Sequence, residues 1–386
     1  MTKTIVGRMP VDLPLEGIQG GMTTIADVQR LGEAKLDDAI RGYIGGGAGE
    51  EQTLGENITA FRRFRFRPRV LVDVSMPSTS TVVLRETIAF PIGLAPTAAQ
   101  RIAHVEGEIA AAQAAQEART LMILSSMSST TIEDVRSSAP DLLLWQQIYL
   151  FRNRSLTESL VRRAEKQGFA AIVVTIDASI PGQAAVAAKS QFCLPNDVTL
   201  ANLEASLPGH SFSYDASSEG YLPKYRSASV TWDDVLWLRS ITSLPRVAKG
   251  ILTAQAAIDA LRHGAAGVIV SNHGGRVLGG TPAAIEALPE VVAAVGDRLE
   301  VYVDGGVRSG TDVAKALSLG ARAVFVGRPV LWGLAYNGKR GVNKVLSILQ
   351  DEFVHTIQLL GQKGGQQGTQ YIARRVRAHN TTTRLS

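Results

Sequence analysis

The sequence has 386 residues, of which 45% are hydrophobic and 19% charged, proportions that suit one large globular unit or two small ones. Its single cysteine, Cys193, excludes an intrachain disulfide framework and a cysteine-rich metal site, and it fits a reducing cytoplasm. The sequence has no uninterrupted apolar stretch near the ~18 residues of a membrane span, and no secretory signal is indicated. A formal net charge of +5 raises the question of a polyanionic partner.

Residues 1–90 precede the regular pattern of the chain and are predicted to form a helical extension. Within them, Thr24–Tyr43 is predicted to be helical, and Gly45–Gly49 predicts a flexible break. In Phe61–Arg69, arginines and phenylalanines interleave, which predicts an extended segment that buries Phe64 and Phe66 and leaves the arginines in solvent. The alternative is nucleic-acid binding, which normally needs a wider basic surface. No nucleic-acid partner is therefore predicted.

Eight short apolar runs, each followed by a helix-like segment, recur along the rest of the sequence. They are Pro91–Ala95, Leu121–Ser125, Leu142–Ile148, Ala171–Asp177, Arg246–Gly250, Gly267–Asn272, Glu300–Asp304 and Ala323–Gly327. Eight strand–helix units favour an α/β fold of the (β/α)8 TIM-barrel type, with an open doubly wound sheet as the alternative. The chain, 1–386, is predicted to be a single domain, with the barrel over 91–360 and a C-terminal tail over 361–386.

The connections between the predicted strands carry helix signals. Thr253–Gly264 runs from a hydroxyl cap to a terminal glycine with cations in its last turn, and Thr311–Gly320 repeats this arrangement. The connection after the fourth strand is different, because Ala178–Val230 is long and contains Gly, Pro and Ser. Loops at this end of barrel strands lie over the catalytic face, so this long loop is predicted to be a lid or substrate loop.

Polar residues stand at the ends of three predicted strands, where the catalytic groups of barrel enzymes cluster. The fourth strand ends at Asp177, the fifth contains Lys249 and the sixth leads into Ser271–Arg276. A charged group in a buried strand needs a partner or a ligand, so an internal ion pair is the alternative to a catalytic role. His273 is the predicted general base, because an imidazole titrates near pH ~6.5, and Asp177 is predicted to orient it.

The loops after the seventh and eighth predicted strands combine glycines with arginines. They are Asp304–Gly310 and Gly327–Pro329. Glycines let backbone N–H groups approach an anion, an arginine can bind phosphate bidentately, and barrels commonly hold phosphate at these two loops. A phosphorylated cofactor or substrate is therefore predicted there, with simple tight turns as the alternative.

With these residues in place, the chain resembles the FMN-dependent 2-hydroxy acid oxidase and dehydrogenase family, which includes glycolate oxidase, lactate oxidase and mandelate dehydrogenase. The most specific stretch is Ser271–Arg276, which is similar to the family's active-site signature. The supporting stretches are Gly46–Leu54, Arg67–Arg69, Ala95–Ala98, Asp304–Arg308 and Gly327–Pro329. The resemblance extends from about Ile25 to Leu360, and it implies a flavoenzyme with FMN as cofactor.

The resemblance also implies roles for individual residues. Tyr43, Tyr149 and Arg276 would bind the substrate's carboxylate and hydroxyl, and the catalytic residues would be His273, Asp177 and Tyr149. Lys249 would lie beside the flavin ring, where a cation stabilises the anionic reduced flavin. The implied cofactor-binding residues are Pro96, Thr97, Ala98, Ser125, Gln147, Thr175 and Lys249 near the ring and ribityl chain, and Asp304, Gly306, Arg308, Gly327 and Arg328 near the ribityl and phosphate end.

The implied reaction oxidises the CH–OH carbon of an L-2-hydroxy acid, or of a 2-hydroxyacyl derivative, to the 2-oxo product. FMN takes up two electrons, and oxygen is the expected acceptor, with a quinone or a protein as the alternative. A barrel enzyme that acts on a phosphorylated substrate without flavin remains a further alternative. A cytoplasmic homotetramer is expected, because relatives are commonly tetramers and Arg384–Ser386 is not the usual peroxisomal tripeptide. No membrane partner is expected, because Ala178–Val230 lacks a basic, apolar membrane segment.

Three positions depart from the family's pattern. Ala184 stands where the family has a second substrate arginine, so a free carboxylate loses one bidentate contact. Either Lys189 substitutes for that arginine, or the substrate is an ester, amide or carrier-bound thioester. Met127 replaces a frequent aromatic residue, which would widen or soften the pocket. Gly279 replaces an acidic residue, which would weaken the support of Arg276.

Overall fold

The N-terminal extension forms three short helices. The computed structural model describes residues 21–180, 192–210, 212, 227–362 and 374–375. The helices are α1 (Ile25–Glu33), α2 (Asp38–Gly45) and α3 (Gln52–Thr59). The prediction of one helix over Thr24–Tyr43 was therefore wrong at its centre, because Asp37 adopts an extended conformation and starts a second helix. The predicted break after Gly45 is present, since α2 ends there.

Two small sheets flank the barrel. Strand β1 (Phe64–Arg65) pairs with the distant β12 (Arg374–Arg375). Phe64 is buried and Arg65 is exposed, as the alternation predicted, but Phe66 is only half-buried. Strands β2 (Thr81–Val83) and β3 (Glu86–Ile88) form a hairpin whose Val83 and Ile88 are buried. These two side chains belong to the cluster that contains Trp145, Tyr302 and Phe325 inside the barrel. The hairpin therefore closes the amino-terminal end of the barrel, which leaves the carboxyl-terminal end for the site.

Eight parallel strands form a closed barrel. They are β4 (Ile92–Leu94), β5 (Leu121–Leu124), β6 (Leu143–Ile148), β7 (Ala171–Thr175), β8 (Arg246–Ile251), β9 (Gly267–Val270), β10 (Glu300–Asp304) and β11 (Val324–Val326), and β11 pairs with β4. The predicted TIM barrel is confirmed, and closure excludes an open doubly wound sheet. The strands are almost entirely buried, because helices cover the outer face and side chains fill the interior.

Helices connect the strands and cover the barrel. They are α4 (Gly107–Glu117), α5 (Ile132–Ser138), α6 (Arg154–Lys166), α7 (Ala201–Ser206), α8 (Trp232–Trp237), α9 (Ala254–Arg262), α10 (Ala284–Val295), α11 (Gly310–Ser318) and α12 (Arg328–Leu359). Thr253 caps α9 as predicted, with its hydroxyl accepting from the N–H of Ala256. The cap of α11 was predicted two residues too late. Ser309, not Thr311, is extended and accepts from the N–H of Asp312.

The long loop after β7 contacts the carboxyl-terminal face of the barrel, as predicted. The amide of Asn202 accepts from the N–H of Ile132 at 2.8 Å and donates to the carbonyl of Ser125 at 3.3 Å. These contacts tie the loop to the segment that follows β5. Ala184 and Lys189 lie outside the described residues. Among the helices of the described chain, none has the length and apolar character needed to cross a membrane.

Candidate active site

A histidine and an aspartate meet at the carboxyl-terminal end of the barrel. Nδ1 of His273 lies 3.0 Å from Oδ1 of Asp177, although the two residues belong to different strand ends. Burial alone raises the pKa of the Asp177 carboxyl, but His273 and then Lys249 outweigh this effect and hold the pKa below its usual value. Asp177 is therefore ionised at neutral pH and can stabilise a protonated imidazole.

The backbone around Asp177 depends on Gly250 in β8. Gly250 has a φ of +112°, and a Cβ at this position would lie 2.6 Å from both Cβ and Cγ of Asp177. The pairing register between β8 and β9 also shifts at this point, between Lys249 and Ile251. Only glycine meets both demands, namely an unusual backbone conformation and the close approach of a side chain.

His273 itself has an unusual backbone conformation. Its φ is +58°, and the following Gly274 and Gly275 have φ values of +65° and +74°. The left-handed region costs a residue with a side chain about 1–2 kcal/mol, so surrounding contacts must maintain it. One of these contacts is the hydroxyl of Ser271, which accepts from the N–H of His273 at 3.0 Å.

A buried lysine lies close to the pair. Nζ of Lys249 is 3.0 Å from Oδ2 of Asp304 and donates to the hydroxyl of Ser271 at 2.9 Å. Burial alone lowers the pKa of this ammonium, but Asp304 and then Asp177 outweigh burial and raise the pKa above its usual value. The predicted cofactor residues Lys249 and Asp304 thus form an ion pair with each other, and Lys249 keeps a fixed positive charge at the centre of the site.

Arg276, three residues after His273, lies against Tyr43 of helix α2. Nη1 of Arg276 donates to the carbonyls of Tyr43 (2.8 Å) and Gly46 (3.0 Å), and the guanidinium lies 5.0 Å from the centre of the Tyr43 ring. Phe192, from the long loop, stacks on the same ring with 4.1 Å between centroids. Within the described part of the chain, Nε and Nη2 of Arg276 form no hydrogen bond, so they present one edge to a ligand.

Polar side chains form a connected row across β5, β6 and β7. Nε2 of Gln147 donates to the hydroxyl of Thr175 at 2.9 Å, and Oε1 accepts from the N–H of Ser126 at 3.0 Å. Ser125 lies beside them, with its hydroxyl accepting from the N–H of Met127 at 3.1 Å. This row borders the segment Pro96–Ala98, which is half-buried. Tyr149, at the end of β6, is 9% exposed and acts electrostatically on Lys249.

Three arginines gather at the ends of β9, β10 and β11 with little compensating charge. Burial, then Arg276 and then Arg308 lower the pKa of Arg328 well below its usual value. Burial lowers the pKa of Arg308 to about 10, against the opposing effect of Asp312. Such a cluster is electrostatically incomplete without an anion.

The residues of this cluster fit the phosphate and ribityl end of FMN. Buried Nε of Arg308 and buried Oδ1 of Asp304 have no hydrogen-bond partner among the described residues. A phosphate dianion would neutralise the arginines, and a ribityl hydroxyl would satisfy the Asp304 oxygen. Gly306 and Gly327 complete the predicted set at the ends of β10 and β11. All three guanidinium nitrogens of Arg328 donate to carbonyls, namely those of Ile44, Gly274 and Gly46.

Several residues of the site were missed by sequence reasoning. Fully buried Glu108 accepts from the N–H groups of Gln100 (2.9 Å) and Ser129 (3.0 Å), which ties the loop after β4 to the loop after β5. Asn57 and Asn272 form a buried pair of amides. For Glu108 and Asn57 the sequence signal was polarity in a segment that becomes buried, which is too common to identify a site. Asn272 lay within the Ser271–Arg276 stretch, but no role was predicted for it.

Comparison with known proteins agrees with this geometry. The family model for FMN-dependent dehydrogenases matches residues 32–374. The chain is 45% identical to 2-hydroxyacid oxidase 1 of Homo sapiens over 341 residues, which cover 87% of this chain and 92% of that protein. It is also 45% identical to glycolate oxidase of Spinacia oleracea, covering 88% and 92% of the two chains. A structure of mandelate oxidase with (S)-4-hydroxymandelic acid superposes with a TM-score of 0.84 at 38% identity, covering 90% and 98%.

The barrel, the histidine–aspartate pair and the arginine cluster define a barrel flavoenzyme that oxidises CH–OH groups. The chain belongs to the FMN-dependent dehydrogenase family, as the resemblance implied, and its cofactor is FMN. It is an FMN-dependent 2-hydroxy acid oxidoreductase. The alternative of a barrel enzyme without flavin is therefore wrong.

Proposed function

We propose that this protein is an oxidase of an L-2-hydroxy acid, with His273 as the base and oxygen as the electron acceptor. The observation that supports this assignment best is the contact between His273 and ionised Asp177 beside the buried cation of Lys249. His273 would thus serve as the proton acceptor, and Lys249 would supply positive charge close to the negative charge that develops during the reaction. Both are needed to oxidise a hydroxy acid. The relatives named above are oxidases, which favours oxygen over a quinone or protein acceptor.

His273 would accept the substrate proton through Nε2. Nδ1 is engaged by Asp177, and Nε2 forms no hydrogen bond to any described residue. Asp177 would hold the ring in one orientation and stabilise the imidazolium once the proton has moved. FMN, when bound, supplies the acceptor for the two electrons that leave the substrate carbon. Lys249 would keep its charge throughout, because Asp304 and Asp177 hold its proton.

Arg276 would bind the substrate carboxylate through the edge formed by Nε and Nη2, while Tyr43 and Tyr149 would bind the remaining polar atoms. The guanidinium is held in place on its other side by the carbonyls of Tyr43 and Gly46. These contacts support Arg276 without the acidic residue that Gly279 replaces. Pro96, Thr97, Ala98, Ser125, Gln147 and Thr175 would line the flavin, and Asp304, Gly306, Arg308, Gly327 and Arg328 would surround its ribityl phosphate.

Replacing Arg276 by lysine should raise KM for a free 2-hydroxy acid by about 10- to 100-fold. Lysine keeps the charge but loses the planar two-nitrogen edge, and a charge-assisted hydrogen bond contributes about 1.5–3 kcal/mol. Steady-state oxygen consumption gives KM, and Arg152→Lys, an exposed arginine in the segment after β6, is the control. An unchanged KM for Arg276→Lys would exclude Arg276 as the carboxylate ligand.

A 2-hydroxyacyl derivative is the second candidate substrate, because Ala184 removes one carboxylate contact. A structure of an arginine-to-leucine variant of mandelate oxidase with 2-hydroxy-phenylacetamide supports this candidate. It superposes with a TM-score of 0.82 at 37% identity, covering 90% of this chain and 97% of that one. That structure contains a 2-hydroxy amide, in which a neutral amide group stands in place of the carboxylate.

Anaerobic mixing with 2-hydroxy acids and their methyl esters should decide between these substrates. We expect free acids to bleach the oxidised flavin absorbance, since Arg276 retains an open edge. Bleaching by esters alone would support the acyl derivative instead. Readmitted air should restore the colour within seconds if oxygen is the acceptor. A flavin that stays reduced in air would identify a dehydrogenase, and a protein reduced by neither substrate class would overturn the proposal.

We also propose that the protein is a cytoplasmic homotetramer. One segment exposes three apolar side chains: Val70 is 80% exposed, Met76 is 89% exposed and Leu71 is completely exposed. Large apolar side chains exposed close together in one segment suit a surface that another subunit covers, and another subunit is the proposed cover. Light scattering of the purified enzyme should give four times the chain mass, and a monomer mass would refute the tetramer.

A further inference from the structure

We propose that Asn57, on helix α3 of the N-terminal extension, is a positioning residue for the loop that carries His273. This inference rests on the proposed role of His273 as the base. Asn57 is 2% exposed and Asn272, immediately before His273, is 5% exposed. Each amide donates to the other at 2.8 Å, so two hydrogen bonds join segments that are 215 residues apart in the sequence.

The remaining contacts fix the orientation of both amides. Oδ1 of Asn57 also accepts from the N–H of Ala284 at 3.2 Å, and Nδ2 of Asn272 also donates to the carbonyl of Pro282 at 3.0 Å. A flip of either amide would place two donors or two acceptors against each other. The pair therefore has one satisfied arrangement, which is the condition for rigid positioning in a buried site.

Asn272 connects the amide pair to the backbone of the loop that carries His273. Its Oδ1 accepts from the N–H of Gly275 at 3.0 Å, so one side chain spans the three left-handed residues that begin with His273. The left-handed conformation of His273 is unfavourable by itself and persists only while such contacts define it. Without the Asn57 donor, Oδ1 of Asn272 keeps only the Gly275 contact, and the loop loses one of its two amide hydrogen bonds to α3.

The backbone of Asn57 reaches a second loop of the site. Its carbonyl oxygen lies only 1.8 Å from where a Cβ on Gly306 would be, so the end of β10 packs directly on α3. The Asn57 side chain also packs beside Gly305 of the same loop, and a substitution of the same shape, Asn57→Asp, leaves both contacts in place. Loss of FMN is therefore not the expected consequence, which separates a positioning effect from a cofactor effect.

Asn57→Asp, studied at alkaline pH, is the sharpest test, because ionised aspartate has the same shape as asparagine and cannot donate to Asn272. In the FMN-loaded enzyme we expect the rate of flavin bleaching at saturating substrate to fall about 30-fold, with KM and the FMN dissociation constant within threefold. Thr53→Val is the matched control, since Thr53 is equally buried one turn earlier on α3, and within the described residues its hydroxyl contacts only Thr281. We expect it to bleach like the wild type.

Two further measurements distinguish positioning from general destabilisation. Hydrogen exchange at Gly274 and Gly275 should accelerate at least tenfold in Asn57→Asp and stay unchanged in Thr53→Val, a readout that needs no catalysis. The bleaching rate of Asn57→Ala combined with Asn272→Ala should equal that of Asn272→Ala alone, because Asn57 acts through Asn272. Wild-type exchange in Asn57→Asp, or additive rate losses, would overturn the inference. A wild type that no hydroxy acid or ester bleaches would overturn only the proposed function.

Discussion

Replacing His273 by glutamine is expected to slow flavin bleaching by a 2-hydroxy acid about 10³-fold while FMN remains bound. Glutamine can keep a hydrogen bond to Asp177 but cannot accept a proton at neutral pH, and general base catalysis typically contributes 10²–10⁴-fold. Substrate dissociation constants should stay within about threefold of the wild type, because Arg276 and not His273 is proposed to bind the carboxylate. Anaerobic stopped-flow absorbance separates the two quantities.

His263→Gln is the matched control for this experiment. His263 stacks on Trp232 at 5.4 Å, and its Nδ1 lies 2.7 Å from the carbonyl of Asp259. It lies between the end of α9 and the start of β9, at the opposite end of the barrel strands from His273. We expect its bleaching rate to match that of the wild type. If His273→Gln were reduced as fast as His263→Gln, the base would be another residue, and the contact between His273 and Asp177 would be structural.

Replacing Lys249 by methionine is expected to lower the free energy of unfolding by about 3–5 kcal/mol. The ammonium is the partner of Asp304 at 3.0 Å and acts on Asp177, and both side chains of the Lys249–Asp304 pair are less than one-tenth exposed. Removing one member of a buried pair leaves an uncompensated charge, which is the costly outcome. Denaturant unfolding of the FMN-free protein measures this loss without any contribution from the cofactor.

Lys339→Met tests whether burial is the reason for that loss. Lys339 contacts Glu117 at 2.7 Å, but these side chains are 37% and 49% exposed. Solvent screens such a pair, so its loss should change stability by no more than about 1 kcal/mol. Lys249→Met combined with Asp304→Asn should recover part of the stability, because the uncompensated carboxylate is then neutral. Equal losses in Lys249→Met and Lys339→Met would show that Lys249 is not held as a buried ion pair.

The structure shows Lys249 in an ion pair that still has one oxygen open to a ligand. The sequence allowed either an internal ion pair or a group that faces a ligand. The ion pair with Asp304 is present, but the second oxygen of that carboxylate is buried without a partner among the described residues. Pairing therefore accounts for the charge of Lys249 and leaves one Asp304 oxygen for a ligand group.

Local patterns in the sequence determined the fold and the location of the site. Each apolar run was short, each was followed by a helix-like segment, and two of these segments carried recognisable cap signals, so the eight strand–helix units could be recognised one at a time. The polar residues Asp177, Lys249 and His273 stood out because a buried strand end has no structural need for charge. These signals depend only on neighbouring residues, which is why they could be read without the structure.

Only the tertiary structure decided which of these groups touch one another. The amide pair of Asn57 and Asn272 and the contact of Arg276 with the carbonyl of Tyr43 join positions more than 200 residues apart. No spacing rule encodes such contacts, because they depend on how the N-terminal extension packs across the barrel mouth. The arrangement of strands brought the polar side chains to one face, and long-range packing then determined their partners.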